Sequence, residues 1–257
     1  MKKVKKELTI EQKISRRNFI SMGSFVVLSG AAYGGWRWLY KSPLEKPSIT
    51  GHAHEPLRRA LNQTELFFRR LYSNNNLVKT YPKARAAKQV RVNSFIGLAD
   101  EDFEPADWKL QINKGRGEIL QLSLDDLKAL PKTEIIFDFK CVEGWDQISH
   151  WAGVKFTDLV EHYNLHEQAK LSYVGLATPD KKYYVGVDMP SALHPQTLLA
   201  YEVNDKPLPM DNGQPLRLII PVKYGIKNLK RIGSISFSNT RPPDYWAERG
   251  YDYYSGL

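Results

Sequence analysis

The feature that most constrains the fold is a series of short strand-like runs in the second half of the chain, separated by turn residues instead of helices. Residues 133–143 alternate in "TEIIFDFKCVE", residues 171–189 indicate two strands joined by "PDKK", and residues 198–209 indicate a second hairpin with "NDK" in its turn. Two further strands are predicted in "LRLIIP" and "IGSISF". Because strands and helices do not alternate, a parallel sheet with crossover helices is excluded. We therefore predict an α+β fold, a mostly β mixed-sheet domain with a few short helices.

Two short helices are predicted beside these strands. Ser123 can cap the first, Asp125 and Asp126 favour its positive N-terminal end, and Pro131 stops it. The paired aspartates are therefore better explained by capping than by acid–base catalysis. The second helix, in "KFTDLVEHY", is expected to be capped and to begin near Thr157.

A longer helix is predicted over residues 55–73, because its apolar residues recur at helical spacing and share one face. The apolar residues are Leu57, Leu61, Phe68 and Leu71, with Phe67 alongside. The following segment loses this periodicity and indicates mostly loop, up to a short strand near Val90–Ile96.

The N-terminal segment has the composition of an export signal. The first 17 residues carry seven Lys or Arg against two Glu, which is +5 of the chain's net +9, and residues 18–36 are uncharged. The sequence "SRRNFI" resembles a twin-arginine signal placed before an apolar run. The run is either cleaved near "LSGAA" or retained as a membrane anchor, with Arg37 and "WRWLY" at the interface. In both cases the bulk of the chain is expected to be periplasmic or extracytoplasmic, tethered to the inner membrane in the second.

These composition changes divide the 257-residue chain into three parts. Residues 1–40 form the signal or anchor, residues 41–89 a linker with an N-terminal helix and loop, and residues 90–257 the main domain. His52 and His54 fall in the linker, where solvated histidines are more common than metal sites. Outside the N-terminal tail the charge excess is modest and no nucleic-acid-binding motif accompanies it, so nucleic acid is not an expected partner.

Cys141 is the only cysteine of the chain. A single thiol excludes an internal disulfide and every metal site that needs several thiolates from this chain. Three roles stay open: a buried thiol that packs like a small hydrophobic residue, a nucleophile with His150 as its base, and a metal ligand. One thiolate is too few for a bare ion, so the third role requires a cofactor that brings the other ligands.

Residues 212–231, "NGQPLRLIIPVKYGIKNLKR", concentrate positive charge among glycines and apolar residues. The cationic residues are Arg217, Lys223, Lys227, Lys230 and Arg231. A strand and loop with solvated lysines is the simplest alternative. However, glycines allow backbone N–H groups to approach a ligand, and Arg and Lys match phosphate geometry. The segment therefore favours an anionic-cofactor site.

Three separated motifs, "CVEGWDQISHWAGVKFTDLV", "NGQPLRLIIPVKYGIKNLKRI" and "RPPDYW", resemble the molybdopterin-dependent oxidoreductase family with the sulfite oxidase catalytic-domain fold. The similarity extends over about residues 90–257 and is greatest to bacterial twin-arginine-exported members, which include periplasmic methionine-sulfoxide reductases. It implies a molybdenum held by the two dithiolene sulfurs of one pterin and by the thiolate of Cys141.

The same resemblance implies the residues of the cofactor site. The matching positions are Thr178, Asn212, Arg217, Asn228, Leu229 and Lys230, of which the last three match the segment that contacts the pterin phosphate. The "N-N-x-Y-E-F" element of the exported reductases is replaced here by "TELFFRRLYSNNN". The resemblance therefore assigns no cofactor contacts to residues 55–89.

The function that the resemblance implies is oxygen-atom or two-electron transfer on a small substrate such as a sulfoxide or sulfite. Electrons would pass to or from a separate redox protein, for example a membrane cytochrome b, and the twin-arginine translocase would be a partner during export. Two alternatives stay open: a cofactor-free thiol enzyme that uses Cys141 and His150, and a non-catalytic exported binding domain.

Overall fold

The computed structural model describes residues 9–44, 53–71, 76–98 and 103–257, so His52 lies outside the described residues. Six α-helices occur within these ranges: α1 Ile10–Lys41, α2 Glu55–Leu71, α3 Leu124–Lys128, α4 Phe156–His162, α5 His166–Ala169 and α6 Met189–Ala192. The described strands are β1 Leu110–Gly115, β2 Glu118–Leu122, β3 Lys132–Cys141, β4 Trp145–Lys155, β5 Tyr173–Ala177, β6 Tyr184–Asp188, β7 Leu198–Val203, β8 Lys206–Pro207, β9 Arg217–Ile219 and β10 Ser234–Ser238. Helices and strands are mixed as expected of an α+β fold.

The strands form two five-stranded sheets. The first has the order β2-β1-β10-β5-β6, in which β1 and β10 are parallel and the other neighbours antiparallel. The second has the order β3-β4-β7-β8, with β9 paired to the same β7, and all its pairs are antiparallel. Parallel pairing within the described residues is thus confined to strands far apart in the chain, and no crossover helix is needed.

Buried side chains from both sheets form the main core. Ile112 of β1, Val174 of β5 and Ile235 of β10 belong to the same apolar cluster as Val154 of β4 and Leu199 of β7. A second cluster covers the other face of the second sheet, with Phe137, Phe139, Trp151 and Ile219 among its members. The second sheet is therefore buried on both faces, which explains the near-continuous apolar runs of its strands.

Most elements predicted in the main domain are confirmed. The two hairpins occur as β5–β6 and β7–β8, and "LRLIIP" and "IGSISF" contain β9 and β10. Ser123 caps α3 and forms a reciprocal capping box with Asp126. Helix α4 begins at Phe156, one residue before the predicted start, and its cap residue Lys155 makes no side-chain cap bond.

The short strand expected near Val90–Ile96 is wrong. Its backbone groups bind side chains instead of a neighbouring strand: Arg91 N–H donates to Gln147 Oε1 at 2.8 Å, and Ile96 N–H donates to Ser94 Oγ at 3.2 Å. Ser94 has φ 57°, which interrupts an extended run. The segment is therefore a loop, although its composition favours a strand.

The two N-terminal helices are present as α1 and α2. Helix α1 is 32 residues long, begins with a Thr9 capping box and contains no buried residue. By length and composition alone, it is one helix that could cross a membrane. Helix α2 matches the helix predicted over 55–73, but its apolar face is not the face that packs against the domain. Leu57 and Leu61 stay about half exposed, whereas Arg58 and Glu65 are buried.

Candidate functional site

Cys141 lies at the tip of the hairpin formed by β3 and β4. It is the last residue of β3 and pairs with Trp145, the first residue of β4. The intervening turn closes with a hydrogen bond from Gly144 N–H to the Cys141 carbonyl at 3.2 Å. Gly144 has φ 82°, a conformation that glycine adopts without steric cost. The turn therefore fixes the position of the thiol at the end of a long, well-paired hairpin.

The conspicuous neighbours of Cys141 in the sequence, Glu143 and Trp145, brace this tip. Trp145 Nε1–H donates to Glu143 Oε2 at 2.7 Å, and its ring is stacked on Phe139 with centroids 6.0 Å apart. The Arg91 guanidinium lies 4.7 Å from the Trp145 ring centroid on the other side of this arrangement. Within the described structure these residues therefore support the hairpin tip and hold Glu143 beside the thiol.

The thiol borders a cavity of about 180 Å³. Five separate parts of the chain enclose it: the loop before β1, the hairpin tip, the loop that ends at β6, and the segments near residues 226–230 and 246–251. The lining residues are Asn93, Ser94, Ile96, Cys141, Val142, Glu143, Tyr183, Ile226, Asn228, Lys230, Trp246 and Tyr251. Thus the two sequence regions singled out for chemistry, at Cys141 and at 212–231, meet at one cavity.

Burial raises the pKa of the Cys141 thiol. The Glu143 carboxylate raises this pKa further, against the lowering effect of backbone N–H groups of Val142 and Glu143. A free thiol in this environment is mostly protonated near neutral pH and is a poor nucleophile. A bound metal ion would deprotonate it outright. The local electrostatics therefore argue against a free catalytic thiolate at Cys141.

The structure does not bring His150 to Cys141. Cys141 pairs with Trp145, whereas His150 pairs with Ile136, five residues earlier on β3. At the rise of a β-strand this separation is about 17 Å, far beyond hydrogen-bond reach. His150 is almost completely buried, and its Nε2 lies 3.2 Å from Glu134 Oε2. The geometry therefore gives the Cys141–His150 pair no support.

His150 belongs instead to a small cluster with Glu134 and Asp205, whose possible metal-ligand atoms lie within 4.8 Å of one another. One carboxylate of this cluster is already engaged by a lysine, because Lys83 Nζ lies 2.5 Å from Asp205 Oδ1. The cluster is thus explained by the hydrogen bond between His150 and Glu134 and by the ion pair between Asp205 and Lys83. It is separate from the Cys141 cavity.

Arg217, at the start of β9, is one of the most deeply buried charged residues described. Its Nη1 donates to the Asn212 carbonyl at 3.1 Å and its Nη2 to the Asn228 carbonyl at 3.4 Å. The guanidinium lies 4.5 Å from the Trp151 ring centroid. Burial lowers its pKa to about 9. The acceptors of Arg217 are neutral, and within the described residues it forms no ion pair with a carboxylate.

Lys230 is a second buried cation of this kind. Its Nζ donates to the backbone carbonyls of Ser94 at 2.6 Å and Asp211 at 3.0 Å. Burial lowers its pKa to about 7, and the charge of Arg217 contributes in the same direction. Like Arg217, it has no carboxylate ion-pair partner in the part of the chain that the structure describes. Lys230 lines the cavity, whereas Arg217 lies next to it and donates to the carbonyl of the lining residue Asn228.

The other two lysines of the segment are paired. Lys223 Nζ lies 2.8 Å from Asp188 Oδ1, and Lys227 Nζ lies 2.5 Å from Asp244 Oδ2, with all four side chains buried. Burial lowers the pKa of Lys223 to about 8 although Asp188 opposes this effect. These lysines are therefore engaged in internal ion pairs rather than available to a ligand.

The structure separates the remaining predicted cofactor residues. Asn228 lines the cavity, and its side chain also accepts from Ile220 N–H at 2.7 Å. Leu229 lies in the main core with no exposed surface. Thr178 donates to Asp180 Oδ1 at 2.5 Å and lines a neighbouring cavity of about 470 Å³. Asn212 is buried, and its backbone carbonyl accepts the hydrogen bond from Arg217 Nη1.

Several cavity residues carried no functional signal in the sequence. Asn93 and Ser94 fall in the segment taken for a strand, and Tyr183 falls in a hairpin explained by its strand pattern. Tyr183 is buried and donates from its hydroxyl to the Ile226 carbonyl at 2.8 Å. Trp246, by contrast, ends the motif "RPPDYW" and lines the cavity. The sequence therefore did not reveal which distant segments of the chain come together to enclose the cavity.

Comparison with protein families identifies the kind of domain that contains this site. The model of the oxidoreductase molybdopterin-binding domain matches residues 97–246, which include Cys141 and the whole of segment 212–231. The chain belongs to this family. It is accordingly an oxidoreductase of the molybdenum class, and the predicted mixed-sheet, sulfite-oxidase-like fold is confirmed.

Curated members of the molybdopterin-binding family are similar over most of the chain. The putative protein-methionine-sulfoxide reductase subunit YedZ1 of Azospira oryzae is 34% identical over 72% of this chain and 70% of that protein. The protein-methionine-sulfoxide reductase catalytic subunit MsrP of Campylobacter jejuni is 28% identical over 94% of this chain and 80% of that protein. MsrP of Xanthomonas axonopodis pv. citri is 37% identical, but the match covers 58% of this chain and half of that protein.

Among solved structures, the sulfane dehydrogenase SoxCD from Paracoccus pantotrophus matches 55% of this chain and 40% of that chain, with a TM-score of 0.49 and 17% identity. A similarity this distant does not indicate a substrate.

The residues of the site fit the family's cofactor. Asn212 Nδ2 and Arg217 Nε are buried donors for which the described residues provide no hydrogen-bond acceptor. Buried donors of this kind are rare unless a ligand or water completes them. Gly213 allows close packing here, since a Cβ at this position would lie 2.7 Å from Lys230 Cβ. An anionic pterin phosphate would supply acceptors and the missing negative charge, and the Cys141 thiol would supply the metal ligand.

Proposed function

We propose that this protein is an exported molybdenum enzyme that binds the metal of a molybdopterin cofactor through Cys141 and reduces sulfoxides. The observation that carries the proposal is that a buried thiol, at a rigid hairpin tip, shares a cavity with Lys230, while Arg217 is bound to the lining residue Asn228. Within the described residues neither cation forms an ion pair with a carboxylate. Family membership supports the cofactor, and the similarity to protein-methionine-sulfoxide reductases supports the substrate.

The residues proposed to hold the cofactor divide into two groups. The Cys141 thiolate would bind molybdenum, and Arg217 and Lys230 would neutralise the pterin phosphate. Asn212, Asn228, Leu229 and Thr178 stay proposed cofactor contacts on the basis of the family motif. The cavity beside Cys141, at about 180 Å³, is smaller than the roughly 300 Å³ of a typical small-molecule site. It therefore suits the reacting end of the cofactor and a small substrate group rather than the complete cofactor.

The proposed reaction converts a sulfoxide, two electrons and two protons into a thioether and water. Molybdenum, when bound, supplies the two-electron chemistry and the acceptor for the oxygen atom. The described residues bind and shape instead: Trp246 and Tyr251 border the cavity, with ring centroids 5.0 Å apart. Aromatic edges make favourable contacts with sulfur. This lining suits the apolar, sulfur-bearing end of a methionine sulfoxide side chain.

The proposed location is extracytoplasmic, with α1 retained as a membrane anchor. Helix α1 continues without a break through "LSGAA", the segment considered for cleavage, and its C-terminal end is hydrogen-bonded to the start of α2. The twin-arginine translocase would export the folded protein. Electrons would come from a separate redox protein such as a membrane cytochrome b, in agreement with the description of the similar proteins as subunits.

Metal analysis of protein purified from the native membrane tests the cofactor. We expect one molybdenum per chain in the wild type and none in Cys141→Ser, because the thiolate is the protein ligand. Asp146→Asn, an exposed change on the same hairpin outside the cavity, is the matched control and should keep its metal. Full molybdenum content in Cys141→Ser would reject the proposed ligand.

A substrate panel with the molybdenum-loaded protein tests the reaction. We expect oxidation of a reduced dye with methionine sulfoxide and other sulfoxides, and little dye reduction with sulfite. Absence of turnover on every sulfoxide would reject the proposed substrate while leaving the metal assignment intact. Turnover by metal-free protein would instead point to thiol chemistry.

A further inference from the structure

Helix α2 packs against the catalytic domain through a polar face. Glu65 is buried, accepts a hydrogen bond from Tyr173 Oη at 3.1 Å and forms an ion pair with Arg241. Arg241 also donates from Nη1 to Asn62 Oδ1 at 2.6 Å. Arg58, one turn from Asn62, is buried on the same side. These specific polar contacts fix the rotation of α2 about its own axis.

That rotation leaves an apolar stripe of α2 on the surface. We define the α2 stripe as Leu57, Leu61, Phe68 and Leu71, whose spacing places them along one side of the helix. Their exposed fractions are 47%, 46%, 48% and 60%. Phe68 only borders the domain, where its ring is stacked on Tyr254 at 6.5 Å. An apolar stripe that only Thr64 interrupts, held outward by a polar face, indicates a contact surface.

The start of α2 is attached to the end of α1. His54 Nδ1 lies 2.9 Å from the Ser42 carbonyl, and Glu55 N–H donates to the Pro43 carbonyl at 2.8 Å. Leu44 and His54 form an antiparallel bridge, and the rings of Tyr40 and His54 lie 6.0 Å apart. If α1 spans a membrane, the first turn of α2 must therefore lie close to the membrane level of the end of α1.

The end of α1 has the composition of a membrane interface. Its uncharged run is followed by Trp36, Trp38 and Tyr40, which are 65%, 63% and 71% exposed. Aromatic residues of this kind mark the headgroup level at the end of a membrane-spanning helix. Lys41, in the last turn of α1, adds positive charge at the same level, where acidic lipids attract it. A membrane at this position would lie beside the first turn of α2, where the α2 stripe begins.

We propose that the α2 stripe is inserted into the membrane surface, so that α2 is a second, interfacial attachment of the catalytic domain. The proposal rests on the retained anchor of the proposed function. A helix with an apolar side, a charged side and low overall hydrophobicity is typical of this binding mode. The lipid surface is favoured over a second copy of the chain because the stripe begins at Leu57, next to the point where α2 is attached to the end of the candidate membrane span. The attachment would hold the Cys141 cavity at a fixed orientation to the bilayer.

The full chain in vesicles of phosphatidylethanolamine and phosphatidylglycerol tests this proposal. A protease site placed within residues 45–52 allows α1 to be separated from the domain after reconstitution. We expect the wild-type domain to stay on the vesicles after cleavage. Leu57→Gln, Leu61→Gln and Leu71→Gln combined should lower the bound-to-free ratio at least about tenfold, because interfacial binding scales with apolar area. Ile119→Gln, at an exposed apolar residue of β2, is the control and should bind like wild type.

Two measurements keep the outcomes distinct. Alkaline carbonate extraction before cleavage reports whether α1 is inserted; complete extraction would contradict the anchor and with it this proposal. Hydrogen exchange of residues 55–71 in detergent should be the same in the triple variant and the wild type, since Gln is a good helix former. With α1 inserted and α2 folded, release of the wild-type domain, retention of the triple variant, or a stripe-dependent dimer in solution would each overturn the proposal.

Discussion

Two pairs of buried cations lie within fifteen residues of one another in the chain, yet they are held in opposite ways. Lys223 and Lys227 each form an ion pair with a buried aspartate. Arg217 and Lys230 bind only backbone carbonyls within the described structure. The first pair stabilises the fold internally, whereas the second leaves positive charge available beside the Cys141 cavity.

The difference shows how to separate structural from ligand-binding cations in one basic segment. A buried charge is costly unless it is compensated, so an uncompensated cation indicates a missing anionic partner. The lowered pKa of Lys230, to about 7, expresses the same cost, since burial and Arg217 disfavour its charged form. An anion that binds there would restore the charge of Lys230 and gain an ion pair.

The largest expected effect comes from breaking a paired cation. Asp244→Asn keeps the size of the side chain but leaves Lys227 buried without its counter-charge. We expect a loss of about 3–5 kcal/mol in the free energy of unfolding. Urea unfolding measures it. Asp211→Asn, at an exposed aspartate near Lys230, is the control and should change stability by less than about 0.5 kcal/mol. Equal stability of Asp244→Asn and wild type would show that the ion pair is not what holds Lys227.

Substitution by Met should lower stability at Lys227 but cofactor content at Lys230. Lys227→Met leaves Asp244 uncompensated and should destabilise the cofactor-free protein by about 3–5 kcal/mol. Lys230→Met removes an unpaired charge, so the cofactor-free protein should stay within about 1 kcal/mol of wild type. Its molybdopterin content, however, should fall at least about tenfold at limiting cofactor, which corresponds to about 1.4 kcal/mol.

Urea unfolding and pterin fluorescence after oxidative release provide the two measurements. A normal cofactor content in Lys230→Met, or a large loss of its stability, would remove the distinction between the two lysines.

The pH dependence of the free energy of unfolding should also distinguish Lys230 from Lys223. The folded pKa of Lys230 is about 7 and its ordinary value is 10.5, so between these values the unfolded chain binds more protons. The free energy of unfolding therefore rises with pH above about 7, by at most about 1.4 kcal/mol per pH unit from this residue. Lys223, with a folded pKa of about 8, adds a rise of the same sign only above that value. We expect Lys230→Met to flatten the rise between about pH 7 and 8; an unchanged slope there would contradict the assignment.

The sequence predicted the fold class and most strands because short-range patterns determine them. Alternation gave the hairpins at β5–β6 and β7–β8, and Ser123 with Asp126 marked the start of α3. The loop at Val90–Ile96 was missed because its β-branched composition favours a strand, whereas its actual partners are distant side chains such as Gln147. Local patterns do not contain that information.

The candidate site was predicted only in part, again because local patterns do not show tertiary contacts. Cys141, Arg217 and Lys230 could be named from motifs, and the structure brings Cys141 and Lys230 to one cavity. The sequence could not distinguish Lys223 and Lys227 from them, because their partners Asp188 and Asp244 lie 35 and 17 residues away in the chain. Pairing across such distances depends on the tertiary fold. The tertiary fold also places Thr178 at a different cavity from Cys141.

The smallest expected effect tests whether charge alone explains the unpaired group. Arg217→Lys keeps the positive charge but cannot donate to the Asn212 and Asn228 carbonyls while lying flat on the Trp151 ring. We expect a loss of about 1 kcal/mol in the free energy of unfolding, and faster loss of cofactor because the Nε donor is gone. Arg249→Lys, an exposed arginine over the Tyr245 ring, is the control and should change neither. If Arg217→Lys matches wild type in both measurements, net charge is sufficient and the planar shape of the guanidinium has no role at this site.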